Sequence, residues 1–221
     1  MDDLSLGNDA LRKNLDELEI INYWLGGNEV VINALNKIQL SQNQLYTLAD
    51  LGSGGGDTLR NIAKWARQKK LKVQLTGIDA NQFMIDYAKN KAQKFPEIHF
   101  SKMDIFSSDF KAQKFDIVVC SLFCHHFTDE ELIELFKILQ SQVSIAFIIN
   151  DLHRHWFAYY SIKWLTWLLR GSYLVQNDAP LSVLRAFKKS ELIALLKKAG
   201  IHNFKIRWKW AFRYQIIVKC N

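Results

Sequence analysis

Proline is nearly missing from this chain. Its 221 residues include only Pro96 and Pro180, far apart, so no motif built on adjacent prolines is present. Cysteine is also scarce. Cys120, Cys124 and Cys220 make an odd number with no metal-ligand spacing. That argues against a disulfide framework and for reduced thiols in a cytoplasm, with Cys120 filling core inside an apolar strand. No apolar run is long enough for an ordinary membrane span. The stretch Trp156 to Leu169 is short and interrupted by Lys163. It reads as a buried or pocket-lining helix, with contact at a membrane surface as the alternative. The start, Met1-Asp2-Asp3-Leu4, is acidic where a secretion signal is basic and then apolar. Internal repeats and low-complexity tracts are absent. The net charge is +7 and the pI about 9.2, yet the basic clusters are short, such as Arg67-Gln68-Lys69-Lys70 and Lys197-Lys198. Scattered in this way, the excess reads as a solvated surface and not as a nucleic-acid footprint. With 49% hydrophobic and 23% charged residues, the chain is globular and of single-domain length.

Glycine, by contrast, is concentrated in one place. Tyr46 to Leu51 reads as a buried strand, Gly52-Ser53-Gly54-Gly55-Gly56 follows, and Leu59, Ile62, Ala63 and Ala66 then share one helical face. Glycine allows a sharp bend and a close ligand approach, and the helix start offers free N–H groups to an electron-rich ligand. The dinucleotide fingerprint requires a glycine at position six of such a loop. Counting from Gly52, that position is Asp57, so the dinucleotide reading fails. A second strand, Val73 to Asp79, ends in a carboxylate, and an acid there can accept both hydroxyls of a ribose.

The run Gly52-x-Gly54-x-Gly56 followed by Asp57, together with Asp79-Ala80-Asn81-Gln82-Phe83-Met84, resembles the first two motifs of the class I S-adenosylmethionine-dependent methyltransferases. The resemblance implies S-adenosyl-L-methionine as the cofactor. It places Asp50, Gly52, Ser53, Gly54 and Gly56 in the cofactor loop and Asp79 with Ala80 at the ribose. It puts Asp104 at the adenine amino group, Ile105 on the adenine face and Ser121 beside the methionine portion. For Asp104 a helix cap or turn acid is the competing reading. After Ser121, Leu122-Phe123-Cys124-His125-His126-Phe127 is similar to the histidine pair of small-molecule enzymes of the quinone-biosynthesis type. His126, or its neighbour His125, then takes the proton of an acceptor hydroxyl; alternatively the pair only orders the loop. A second polar cluster runs from Asn150 to Trp156. In it Arg154 suits an anionic or carbonyl oxygen of the acceptor, and His153 or His155 rivals His126 as base. No helix carries a histidine pair at ligand spacing, so no metal is assigned.

The remaining chain alternates strand and helix. Two N-terminal helices, over 4–25 and 28–39, are broken by Gly26-Gly27 and precede the first strand, with Tyr23 and Trp24 as candidate pocket residues. A helix to about Lys94 stops before Pro96. Strands follow at Ile98–Asp104, Phe115–Ser121 and Val143–Asn150, the last so apolar that both faces must be covered. Thr128 and Glu131 form a capping box, and Ser190 caps a helix that Gly200 closes. Strands from Phe204 and Phe212 form an antiparallel hairpin. The expected fold is α/β: a doubly wound, Rossmann-like, seven-stranded sheet, mostly parallel, with an antiparallel C-terminal hairpin. It is a single domain over 1–221, divided into a helical cover (1–44), a cofactor core (45–150), a substrate lid (151–189) and a C-terminal helix and hairpin (190–221).

The expected reaction is methyl transfer to oxygen of a small aromatic or lipophilic acceptor. That requires a closed pocket that positions the nucleophile and excludes water, for which Tyr159, Tyr160, Trp164 and Trp167 are candidates. An RNA methyltransferase and a non-catalytic cofactor binder are the alternatives. Enzymes acting on base amino groups carry an Asn/Asp-Pro-Pro-aromatic motif where this chain has Ser121-Leu122-Phe123-Cys124, so nucleic acid is disfavoured as a partner. The expected assembly is a monomer or homodimer.

Overall fold

The computed structural model describes residues 9–168 and 171–220. The first residues of the expected 4–25 helix, and Leu169 at the end of the apolar stretch, lie outside the described residues. The chain begins with α1 (Asp9–Trp24). Gly26, at a φ of 67°, then turns it into α2 (Gly27–Leu35). Strands and helices alternate from there: β1 (Leu45–Leu51), α3 (Asp57–Gln68), β2 (Lys72–Asp79), α4 (Gln82–Lys91), β3 (Ile98–Lys102), α5 (Ser108–Lys111), β4 (Phe115–Ser121), α6 (Asp129–Gln142) and β5 (Val143–Leu152). Two helices follow, α7 (Trp156–Leu168) and α8 (Tyr173–Arg185), then α9 (Lys189–Lys198) and the hairpin β6 (Phe204–Lys209) and β7 (Arg213–Lys219).

All seven strands form one sheet in the order β3-β2-β1-β4-β5-β7-β6. The first five are parallel, and β7 runs antiparallel between β5 and β6, as the sequence pattern predicts. The helical periodicities explain the layers. In α3 the four predicted positions, Leu59, Ile62, Ala63 and Ala66, are all buried. They pack with Leu48 of β1, Leu75 of β2 and Leu35 of α2 on one face of the sheet. Burying one leucine or isoleucine there stabilises the fold by roughly 1.5–3 kcal/mol. The other face is filled by Phe136, Phe147, Leu192 and Leu196. Helix ends follow local chemistry. The Asn81 side chain accepts the Phe83 N–H at 2.9 Å to open α4, and Thr128 with Glu131 forms the expected capping box of α6.

Several expectations are corrected. The cap of α9 is Lys188 and not Ser190. The Glu191 carboxylate reaches back to accept the Lys188 N–H at 2.8 Å, which draws the helix start forward. β5 runs past Asn150 to Leu152, because β7 pairs with it as far as Leu152 opposite Arg213. A second helix, α8, occupies the segment after α7 with Pro180 inside it, and that proline masks the helix in the sequence. Of the α7 aromatics expected to line a pocket, Tyr159 is half-buried and Tyr160, Trp164 and Trp167 face solvent, whereas Phe157 lines the cavity described below. Trp156 is exposed as well, and Trp164 is 61% exposed. Helical spacing instead turns Ala158, Ile162 and Leu165 inward. Tyr23 and Trp24 are likewise exposed and stack edge to face on each other.

Candidate active site

In this strand order the connections reverse between β1 and β4, which opens a crevice at the carboxyl ends of the strands. The loop after β1 forms one wall. Gly52, Gly54 and Gly56 have φ values of 66°, 48° and 71°, a backbone region that side chains rarely adopt. Their surroundings differ. A Cβ on Gly52 would sit 2.1 Å from the Phe123 ring, whereas one on Gly54 would meet nothing within 4 Å. Gly52→Ala combines a strained φ with overpacking and is expected to cost about 2–5 kcal/mol of stability. Gly54→Ala is expected to cost only about 1–2 kcal/mol while placing a methyl in the open crevice and weakening ligand binding there. Thermal unfolding and calorimetry on the two variants read this contrast.

Asp79, at the end of β2, fixes the loop from the other side. Its Oδ2 accepts the Gly54 N–H at 3.0 Å and its Oδ1 accepts the Asn81 N–H at 2.9 Å. Burial raises its pKa above the usual carboxylate value, and the N–H groups of Asn81, Gly54 and Ala80 offset only part of that. Asp50 is buried outright, and its pKa is pushed well up by desolvation first and then by the charges of Asp57 and Asp79. Asp57, which opens α3, accepts from the amides of Asn22 at 3.0 Å and Asn28 at 3.1 Å, so α1 and α2 are pinned to the glycine loop. Arg60 adds a second tie, donating to Gly55 O and to Glu19.

The other expected cofactor residues ring the same crevice end. Asp104 is exposed, and its Oδ1 accepts the Phe106 N–H at 2.9 Å, a turn-forming contact. Ile105 is buried in the core cluster. Ala80 is exposed. Ser121 Oγ accepts from Asn150 Nδ2 at 2.9 Å. Ser53 Oγ and Asp50 Oδ1 are buried without a partner among the described residues. Unpartnered polar atoms beside an open, glycine-lined surface fit a polar ligand that brings its own donors and acceptors.

A cavity of about 440 Å³ lies beside this crevice. Its walls are mostly apolar, from Ile21 and Leu25 of α1, Leu122 after β4, and Ile162 and Leu165 of α7. Four non-glycine residues have positive φ among the described residues, and three of them, Leu122, Ala211 and Phe212, line this cavity. Ala211 and Phe212 take this conformation in the tight β6–β7 turn, which leaves Leu122, beside the histidine pair, as the strained residue outside a hairpin. Two histidines reach the cavity. His125 is buried, and its Nδ1 lies 2.7 Å from Asp151 Oδ1. Asp151 Oδ2 also accepts the His125 backbone N–H at 3.2 Å, and its Oδ1 accepts the Leu152 N–H at 2.7 Å. Burial alone would raise the Asp151 pKa, but the His125 charge and these hydrogen bonds hold it below the usual carboxylate range. An ionised Asp151 fixes the Nδ1–H tautomer of His125 and leaves Nε2 as a proton acceptor. His126 is exposed, with its ring 4.3 Å from that of His125.

The second polar cluster of the sequence is split by its own geometry. Alternation along β5 sends Asn150 toward α2, where it donates to Gly27 O, and Asp151 to the opposite face beside His125. His153 packs 4.9 Å from the Tyr214 ring and His155 5.2 Å from the Phe212 ring. Arg154 pairs with Glu191 at the start of α9. None of these three lines the cavity. Sequence reasoning missed Asp151 as the partner of His125, Asn22 as a tie to the glycine loop, and Arg213, which lines the cavity from the start of β7.

Residues 48–144 match the family model described as a methyltransferase domain. That match falls on the glycine loop, Asp79 and the histidine pair together. Residues 48–144 are thus a methyltransferase domain, and the seven-stranded sheet around them has the Rossmann-like methyltransferase fold. This methyltransferase is 26% identical over 179 residues to a carboxy-S-adenosyl-L-methionine synthase of Nautilia profundicola, covering 74% of this chain and 72% of that protein. Its fold is similar to a SAM-dependent methyltransferase of Aquifex aeolicus, with a TM-score of 0.67, 15% identity, and 94% of this chain and 97% of that one covered. The plantazolicin methyltransferase in complex with SAH gives a TM-score of 0.63 at 18% identity, over 96% and 99% of the two chains. The methyltransferase also matches longer structures and spans about half of the citrinin polyketide synthase CMeT chain, 48%. The methyltransferase-domain match and this fold support S-adenosylmethionine as the cofactor. None of its described helices is long and apolar enough to cross a membrane.

Proposed function

We propose that this methyltransferase acts on a hydroxyl oxygen of a small, planar, largely apolar acceptor held in the cavity between α1, α7 and the β6–β7 turn. The observation that carries this reading is that His125, held by the buried Asp151, lines that cavity. Gly52, Ser53, Gly54 and Asp50 form the cradle for the methionine end, Asp79 receives the ribose hydroxyls, and Asp104 with Ile105 stands at the adenine end. When bound, S-adenosylmethionine supplies a methyl already activated by its sulfonium, so that transfer forms the C–O bond as the C–S bond breaks. His125 Nε2 receives the hydroxyl proton, Asp151 holds the ring in place, and the apolar walls exclude water. His126 sits at the rim.

The test is incubation with S-adenosylmethionine and a panel of phenols and hydroxynaphthalenes, followed by mass spectrometry. An O-methylated product with an equal yield of S-adenosylhomocysteine supports the reading; methylation only at carbon or nitrogen overturns it. The relative named carboxy-S-adenosyl-L-methionine synthase favours a second reading, in which the cofactor itself is the product. Carboxy-S-adenosyl-L-methionine recovered on the protein as purified from cells, where carboxyl donors are present, with no methylated acceptor in the panel, decides for that one.

A further inference from the structure

Arg213 is the first residue of β7, paired with Leu152 on one side and Lys209 on the other. It is 2% exposed and yet lines the acceptor cavity. Its Nη2 donates to Asn22 Oδ1 at 3.2 Å. Its Nε and Nη1 are buried with no hydrogen-bond partner among the described residues. The two acids whose charges act on it are hydrogen-bonded elsewhere, Asp57 to the amides of Asn22 and Asn28, and Asp151 to His125 and the Leu152 N–H. Burial lowers the Arg213 pKa to about 10, with Asp151 and Asp57 opposing the fall, so the guanidinium is charged at neutral pH.

The fold makes specific room for this side chain. A Cβ on Gly27, the first residue of α2, would lie 3.1 Å from the guanidinium carbon and 1.7 Å from Asn22 Oδ1. A glycine thus backs the arginine on the side of α2. The cavity's other charged side chains, Asp178 and Arg185 on α8, are both engaged in interactions of their own. A buried charge held only for structure is normally paired and hydrogen-bonded. A guanidinium with N–H groups unused beside a largely apolar cavity is matched to a carboxylate, which accepts charge-assisted N–H bonds.

We propose that Arg213 is the anion-receiving group of the acceptor site and that the acceptor carries a carboxylate on its planar, apolar frame. This rests on the reading of the cavity as the acceptor site. The guanidinium anchors one end of the acceptor, and its hydroxyl is presented to His125 at the other. The methionine tail of the cofactor also bears a carboxylate, and the test separates the two sources.

The test is calorimetry on the full chain, using 6-hydroxy-2-naphthoate and its neutral amide as probes with S-adenosylhomocysteine present. The wild-type protein is expected to bind the carboxylate at least tenfold more tightly than the amide. Arg213→Met is expected to abolish that preference and leave S-adenosylhomocysteine affinity and melting temperature unchanged. Arg213→Lys keeps the charge without the fork and is expected to retain only part of the preference. A wild-type protein with no preference, or a preference that survives in Arg213→Met, overturns the proposal. So does a loss confined to S-adenosylhomocysteine, which assigns the arginine to the methionine tail. If the wild-type protein binds only the amide, the arginine assignment falls and the small-acceptor reading stands. If it binds S-adenosylhomocysteine and neither probe, both fall.

Discussion

Asp79→Ala is expected to weaken S-adenosylmethionine binding about 100-fold, measured by calorimetry. A hydrogen bond to a charged group contributes about 1.5–3 kcal/mol, and loss of two ribose contacts at the lower end is about 3 kcal/mol, or two factors of ten in affinity. The variant also removes the acceptor of the Gly54 N–H, so the loop loosens and the change adds to the loss. The carboxylate has capacity for this role. Its oxygens accept the Gly54 and Asn81 N–H groups, and a carboxylate has about four lone-pair positions, so capacity remains for a ribose hydroxyl. The pH dependence has a definite sign. Burial has raised the Asp79 pKa, and a ligand that donates to the carboxylate prefers it ionised. Affinity therefore falls as the solution is acidified through that raised pKa, and it falls at a higher pH than for an exposed aspartate. An unchanged affinity in Asp79→Ala would reject the ribose assignment.

Asp151→Asn is expected to lower turnover by about 10²- to 10⁴-fold, the range in which a positioned general base contributes, with cofactor affinity nearly unchanged. The amide is close in size to the carboxylate, but it carries no charge and its nitrogen is a donor. It no longer selects the tautomer of His125 that leaves Nε2 free. His125→Gln should fall in the same range, and the double variant should lose little more than either single one, because the two side chains act as a unit. His126→Ala, at the rim, should cost much less. Equal losses in His126→Ala and His125→Gln would make the histidine pair, and not the His125–Asp151 dyad, the unit of catalysis. The dyad also has a stability signature. The Asp151 pKa is depressed in the folded state, so its stabilising contribution is complete above the ordinary carboxylate value. That contribution is lost as pH falls through the depressed value, and the Asn variant should lack this acid limb in its melting curves.

The candidate cofactor half of this site is legible in the sequence because its residues are local. The glycine loop sits in consecutive residues, and the acid of β2 follows from strand periodicity alone. The acceptor half depends on contacts between distant segments. Asp151 meets His125 only because β4 and β5 are neighbours in parallel register, with Ser121 opposite Asn150. Treating Asn150 to Trp156 as one cluster ignored the two-residue alternation that separates its members. Arg213 was missed for a related reason. The pattern Phe212, Tyr214, Ile216, Val218 suggests one buried face, with Arg213 and Gln215 turned to water. But β7 lies between β5 and β6 under α2, and both of its faces are buried. A polar residue in a strand covered on both sides was the available signal. The aromatic face of α7 was misassigned because composition does not say which side of a helix meets the protein. Helical spacing alone could have shown that the aliphatic and aromatic sides are separate.

Six of the seven tryptophans, Trp24, Trp156, Trp164, Trp167, Trp208 and Trp210, are exposed, and only Trp65 lies in the core. Indole emission from the native protein therefore comes mainly from water-facing rings and is already shifted to long wavelength. Denaturation will move that spectrum little, so fluorescence is a poor gauge of global unfolding here. Two of these rings, Trp208 and Trp210, line the acceptor cavity, which makes their emission sensitive to anything that settles over that opening.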